Sequence, residues 1–191
     1  MEKTAMSNET CNVDEEKKCW VLEAARGWRD NRWPEDHDLW LRLMAGGARL
    51  DKVPRTLLFW RERDGRLTRV DPRYQPERFR EMKLEHLLAG PLADGPDGRR
   101  PVAIWGAGRN GRRWARALRK AGGEVTGFID VDPAKIGRKI DGIQVHPLAR
   151  CADPGLGFVL GAVAAPGARK KIQQALLEAG RREERDFLFV Q

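Results

Sequence analysis

The chain has no apolar run approaching the ~20 residues that cross a bilayer. Its longest, residues 158–165, reads as a buried strand. Met1-Glu-Lys-Thr lacks the basic-then-apolar order of a signal peptide, so a cytoplasmic protein without a transmembrane segment is expected. Serine is almost absent, which argues against a serine-nucleophile hydrolase. Cysteine is sparse: Cys11, Cys19 and Cys151 have neither disulfide-framework nor metal-ligand spacing, so free thiols and no metal site are expected. Of the three histidines, His146 precedes Pro147 after a predicted strand and reads as a turn residue rather than a catalyst. No nucleic-acid reader motif or aromatic platform is present, and nucleic acid is not expected as a partner. There is no internal repeat.

What is present is charge. Hydrophobic residues make up 41% of the 191, enough for a core, and charged residues 34%, a strongly solvated surface. The net charge of +8 is unevenly placed. Residues 1–100 carry 20 Lys/Arg against 19 Asp/Glu, whereas residues 101–191 carry 16 against 9. A local excess of that kind points to an anionic ligand or surface near the C-terminal part. Turn-rich residues 93–100 read as a linker. The expected division is a polar lead at 1–26 (disordered through 18), a segment at 27–92, the linker, and a domain at 101–191. A helix from Pro76 to Ala89, stopped by Gly90-Pro91, closes the segment before the linker.

After the linker, the apolar run Pro101-Val-Ala-Ile-Trp105 leads straight into Gly106-Ala-Gly108-Arg-Asn-Gly111. A helix is predicted over 109–121, then a strand over 125–129 that ends at Asp130. Strand, glycine turn, helix, strand and acid, in that order, make a dinucleotide-binding unit. Gly106 permits the tight turn, Gly108 lets the backbone approach a pyrophosphate, and Gly111 lets the helix pack on the strand. Asp130, 19 residues past Gly111, is placed to accept from a ribose hydroxyl. Arg109, Arg112, Arg113, Arg116 and Lys120 form one cationic stripe, and Arg109 opposes the helix dipole unless an anion sits beside it. A solvated Arg face is the bland alternative. The candidate cofactor-binding set is therefore Gly106, Gly108, Arg109, Gly111 and Asp130, for a nucleotide or NAD(P). The same turn can also serve merely to close a strand–helix corner. Strands at 158–163 and 187–190 and a helix at 167–179 complete a parallel, right-handed sheet. Only about 60 residues follow Asp130, room for one mononucleotide half, so hydride-transfer chemistry is not expected. The phrase Ile-Trp-Gly-Ala-Gly-x-x-Gly, then Phe-Ile-Asp-x-Asp-Pro-x-Lys-Ile-Gly, is similar to compact Rossmann-like domains of bacterial sugar-modifying enzymes. These include some family 2 glycosyltransferases, C-methyltransferases and sugar-nucleotide acyltransferases.

Upstream, Trp33-Pro-Glu-Asp-His-Asp-Leu-Trp-Leu-Arg-Leu43 predicts a helix with Pro34 and three acids at its start. Leu39, Trp40, Leu43 and Met44 would form a buried face, and Gly46-Gly47 the stop. Trp40 and Trp60 read as core, whereas Trp28 and Trp33 flank the acids. On charge alone the acids only favour a helix start. With Ala48-Arg-Leu-Asp-Lys-Val-Pro-Arg-Thr-Leu-Leu-Phe-Trp-Arg61 and Gly65-Arg-Leu-Thr-Arg69, this stretch resembles the acceptor-side segment of family 2 glycosyltransferases. The resemblance spans roughly residues 27–92 and implies two short strands between 48 and 61. It implies a catalytic base at Asp36 or Glu35, and a bacterial cell-surface polysaccharide context. It also implies a donor-binding half, encoded separately or belonging to a longer enzyme of which this is a fragment, which would bring the nucleotide-sugar and a divalent metal. Without that half, apolar residues such as 57–60 are expected to be exposed, making the segment marginally stable or partner-dependent. The expected architecture is thus α/β. A small parallel Rossmann-like sheet with flanking helices follows an incomplete α+β glycosyltransferase acceptor-side segment. A non-catalytic nucleotide-binding module, or a structural domain that forms a homo-oligomer, are the alternatives.

Overall fold

The computed structural model describes residues 22–51, 53–61, 63–93 and 98–191. Residues 1–21, which hold Cys11, Cys19 and most of the polar lead expected at 1–26, and the middle of the linker at 94–97 lie outside the described residues. Two compact units result, Met1–Tyr74 and Gln75–Gln191.

In the first unit, helix α1 (Glu35–Ala45) starts after Pro34 with Glu35, Asp36 and Asp38 in its first turn. It stops at Gly46 and Gly47, whose φ of +88° is a left-handed value that glycine tolerates best. Its buried face is narrower than the sequence indicates. Leu39 is buried, but Trp40 and Met44 are about half exposed, because few apolar side chains from elsewhere in the unit cover them. A short helix, α2 (Leu67–Val70), and a 3-10 turn at Pro72–Tyr74 follow. The two strands expected between 48 and 61 do not form: residues 53–61 find no ladder partner among the described residues. Trp60, expected in the core, lies 66% exposed.

The second unit starts with helix α3 (Pro76–Ala89), with proline at its first position as sterics favour. Strand β1 (Val102–Trp105) leads into helix α4 (Arg109–Lys120) and strand β2 (Val125–Ile129). Strands β3 (Lys139–Ile140) and β4 (Ile143–His146) form a hairpin across Asp141-Gly142. Both turn residues have positive φ, +52° and +76°, the two-residue turn whose twist matches the strands. Two 3-10 turns, Leu148–Ala152 and Pro154–Leu156, precede strand β5 (Phe158–Gly161), helix α5 (Ala168–Glu178) and strand β6 (Phe187–Phe189).

The six strands lie in the order β3-β4-β2-β1-β5-β6, all parallel except the β3–β4 pair. Alternation along β1 sends Val102 and Ile104 to one face of the sheet and Ala103 and Trp105 to the other. The first face is covered by Leu87 of α3 and by Trp114, Ala115 and Leu118 of α4. The second is covered by Cys151, Leu156, and Ile172 and Leu176 of α5. Each large side chain removed from water this way contributes roughly 1.5–3 kcal/mol. The fold is a Rossmann-like α/β layer structure. The chain builds β1, β2 and β4 in one direction, then returns to the other side of β1 with β5 and β6. That reversal leaves a crevice at the carboxyl ends of β1 and β5, where ligands bind in open α/β sheets.

Candidate functional site

The crevice is real. A cleft of about 560 Å³ opens there, lined by the glycine turn, the end of β2, the loop after β5 and the first turns of α5. Gly106, at the end of β1, has φ +107°, and a Cβ there would lie 2.6 Å from Val163. Gly111 is more constrained, since a Cβ would fall 1.8 Å from the Gly106 carbonyl oxygen. Helix α4 can approach β1 this closely only with glycine at 111. Gly108 is the opposite case: a Cβ would meet nothing within 4 Å, and its φ of −83° suits any residue. The space beyond it is open. No side chain caps α4, so its first N–H groups are left for something else to satisfy. Asn110 donates to the Ala162 carbonyl at 3.0 Å and ties the helix start to the end of β5.

Asp130 is buried at the tip of β2 and its carboxylate is well occupied. It accepts from the Ala107 N–H at 2.9 Å, from the Asp132 N–H at 3.0 Å and from Lys135 Nζ at 3.2 Å. Burial pushes its pKa up, but these hydrogen bonds and the Lys135 charge outweigh it and hold the group below its ordinary value. Burial works against the Lys135 charge too, and the two carboxylates, Asp130 and Asp132, raise its pKa nonetheless. A carboxylate has about four acceptor directions, and three of those on Asp130 are taken by these donors. The acid thus braces the glycine turn, a role its sequence position alone did not indicate.

Arg109 lines the cleft. The rest of the cationic stripe is partly accounted for by protein contacts. Arg112 and Arg116 pair with Asp141 of the hairpin at 3.2 and 3.1 Å, and Arg119 donates to the Asp141 carbonyl. Hydrogen bonding from Arg112 is the largest cause holding Asp141 below its usual carboxylate value. Lys171, Leu148, Val131, Ala168 and Ile172 complete the walls. None of these was expected in the site from the sequence: Ala168, Lys171 and Ile172 reach the cleft through the crossover of β5 and α5 back to β1, and Leu148 through the turn after β4. His146 sits against Gly127 at the end of β4, and burial with the nearby Arg150 lowers its pKa. Burial pushes the Cys151 thiol up to about 11, so it stays protonated and inert.

In the first unit each of the three acids is engaged by neighbouring groups, and Asp38 alone of them is buried. Glu35 accepts from the Tyr74 hydroxyl at 3.0 and 3.2 Å, with Arg73 at 3.9 Å. Asp36 accepts from the His37 backbone N–H at 2.8 Å and lies 3.0 Å from its Nδ1. Asp38 is buried, taking Trp33 Nε1 at 3.3 Å and Arg42 Nε at 2.8 Å. Arg42 in turn donates to the carbonyls of Ala25 and Gly27, which fastens the start of the described chain onto α1. Trp33 is buried in that arrangement, and Trp28 is 61% exposed. Among the described residues no group of three or more His, Cys, Asp or Glu is placed to hold a metal ion, and no helix is long and apolar enough to cross a membrane.

A search of curated proteins finds no match. Among solved structures, the chain is similar to UDP-D-quinovosamine 4-dehydrogenase from Vibrio fischeri (23% identity, 47% of this chain, 74% of that chain, TM-score 0.38). It is also similar to RSP, a Rex-family repressor. The complex with β-NADH gives 18% identity over 58% of this chain and 61% of that one, TM-score 0.41. The complex with β-NAD+ and operator DNA gives 19% over 47% and 48%, TM-score 0.37. Likenesses this distant carry no argument about function. The expectation that nucleic acid is not a partner finds no support in these comparisons. The resemblance to family 2 glycosyltransferases is overturned. Nothing in the comparisons supports that family, and the strands it implied do not form among the described residues. The catalytic role of Asp36 and Glu35, and the metal-bearing donor half, rested on it alone. What does match is the model of the CoA binding domain, over residues 97–181, just under half of the chain.

Proposed function

We propose that the unit Gln75–Gln191 is a nucleotide-binding module that takes a pyrophosphate-bearing adenine nucleotide of the CoA or NAD(P) class. The observation that carries this is the open space beyond Gly108, at an uncapped helix start facing a cleft of about 560 Å³. A pyrophosphate at that helix start would receive backbone N–H groups and the favourable end of the helix dipole. Arg109 and Lys171 would add charge, the last acceptor direction of Asp130 would take a ribose hydroxyl, and Val131, Val163 and Ala168 would flank the base. The match to a CoA binding domain over 97–181 supports the same class of ligand. The module binds rather than reacts. Asp130 and Lys135 are both shifted away from neutrality, the opposite of what a general acid or base at pH 7 requires.

Thermal-shift and calorimetric titration with CoA, dephospho-CoA, NAD(H), NADP(H) and a UDP-sugar tests this. An adenine nucleotide should raise the melting temperature, and Gly108→Asp should abolish the effect without lowering the unliganded value. A panel with no shift, or undiminished binding by Gly108→Asp, would leave a purely structural domain as the reading.

A further inference from the structure

The first unit carries a surface that the nucleotide cleft does not explain. Leu57, Leu58, Phe59 and Trp60 are exposed by 66, 68, 91 and 66% respectively. In a half-covered strand or helix, exposure follows a period of two or of about 3.6. Four consecutive large apolar side chains follow neither, so they project in more than one direction. Side chains that project in several directions are surrounded once they sink into a fluid apolar layer, with no matching protein shape needed. The short helix α2 adds Leu67 and Val70, both exposed by about 60%. Around this cluster the charge is one-sided: residues 49–69 hold seven Arg or Lys against three Asp or Glu. The Arg66 guanidinium lies 4.2 Å from the Trp60 ring centroid, so one indole joins the apolar cluster to its cationic border. Aromatic rings with a polar edge, bordered by arginine, are the composition that settles at the headgroup level of a bilayer.

We propose that residues 55–61 and 63–70 form a peripheral docking site for an anionic lipid surface. The side chains of Leu57–Leu58–Phe59–Trp60 enter the headgroup–acyl boundary, and Arg55, Arg61 and Arg63 meet the lipid phosphates. Binding then depends jointly on buried apolar area and on negative surface charge. No helix in the described chain is long and apolar enough to span, which leaves attachment from one side.

The test is cosedimentation of the full chain with vesicles of phosphatidylcholine alone, or with about a quarter phosphatidylglycerol. Association with the anionic vesicles should be at least ~10-fold stronger, should weaken as salt is added, and should be lost in Phe59→Asp. Bromine-labelled acyl chains should quench the tryptophan fluorescence of the unmodified chain, which needs no variant to fold. Equal or absent sedimentation with both vesicles, or no quenching, overturns the proposal. So does a concentration-dependent self-association, abolished by Phe59→Asp, in a chain that ignores vesicles: the surface would then fit a protein partner.

Discussion

The two units are built from similar proportions of apolar residues, yet they bury them very differently. In Gln75–Gln191 the side chains of β1 alternate into two cores, one under α3 and α4, the other under α5. Among the described residues of the first unit the buried apolar ones are Trp33 and Leu39, while Phe59 and Trp60 stand in the open. The difference is one of partners. A parallel sheet supplies two faces and each helix covers one. The stretch from 53 to 61 has no neighbouring strand among the described residues, so its apolar side chains lack a sheet face to pack against. Polar contacts do part of the work instead: Asp38, Arg42 and Trp33 form a buried knot, and Glu35, Tyr74 and Arg73 form a second, half-buried one. A buried ion pair is weak evidence of stability, since desolvation offsets much of its attraction.

The sharpest way to break this contrast is limited trypsin digestion. Cleavage after Arg55, Arg61 or Arg63 should come first, by orders of magnitude in rate, with a resistant fragment covering Gln75–Gln191. Equal resistance of both units would show that the first has a core comparable to the second. Next in size, Gly111→Ala forces a Cβ against the Gly106 carbonyl. It should cost about 3 kcal/mol or more and lower the Tm of the second unit by at least ~10 °C, measured by circular dichroism. The neighbouring Gly108→Ala should leave that Tm unchanged, because nothing lies within 4 Å.

Asp130→Asn should cost roughly 1–3 kcal/mol in urea unfolding at pH 7, since a charged acceptor is exchanged for an amide that satisfies its donors less well. The pH dependence fixes the mechanism. The folded-state pKa of Asp130 is depressed below the ordinary 3.8, so its contribution is present above that value and is lost as the pH falls through the depressed one. The gap between the natural chain and the variant should therefore close below about pH 4, and a gap that stayed constant would point to packing instead. The smallest expected effect is Phe59→Asp in vesicle-free buffer. It should shift the unfolding midpoint by no more than about 0.5 kcal/mol, because the side chain is 91% exposed.

Much of the second unit was legible because its signals are local. The run Val102–Trp105, the glycines at 106, 108 and 111, and the acid at 130 lie on one continuous strand–turn–helix–strand stretch. Proline and glycine punctuate α3 and α4 at residues 76, 90, 122 and 123. The order of the strands, and with it Lys171 and Leu148 in the cleft, depends on contacts between residues far apart in sequence. The partners of Arg112 and Arg116 were invisible for the same reason, as Asp141 lies 29 and 25 residues away. In the first unit the period failed. Leu39, Trp40, Leu43 and Met44 have helical spacing, but spacing says which residues share a face, not whether anything covers that face.

The approach of Gly111 to the Gly106 oxygen has a bearing on motion. Helix α4 is seated on β1 without the clearance of a single methyl group, and packed elements of this kind do not slide by small amounts. A ligand arriving at the helix start could not announce itself elsewhere through a shift of α4. The segment free to respond is the one Lys135 holds: its ammonium group clasps Asp130 and Asp132 at the mouth of the cleft. On the proposed reading, a phosphate at the helix start would compete for that ammonium, and the β2–β3 loop is where the second unit would change shape on binding.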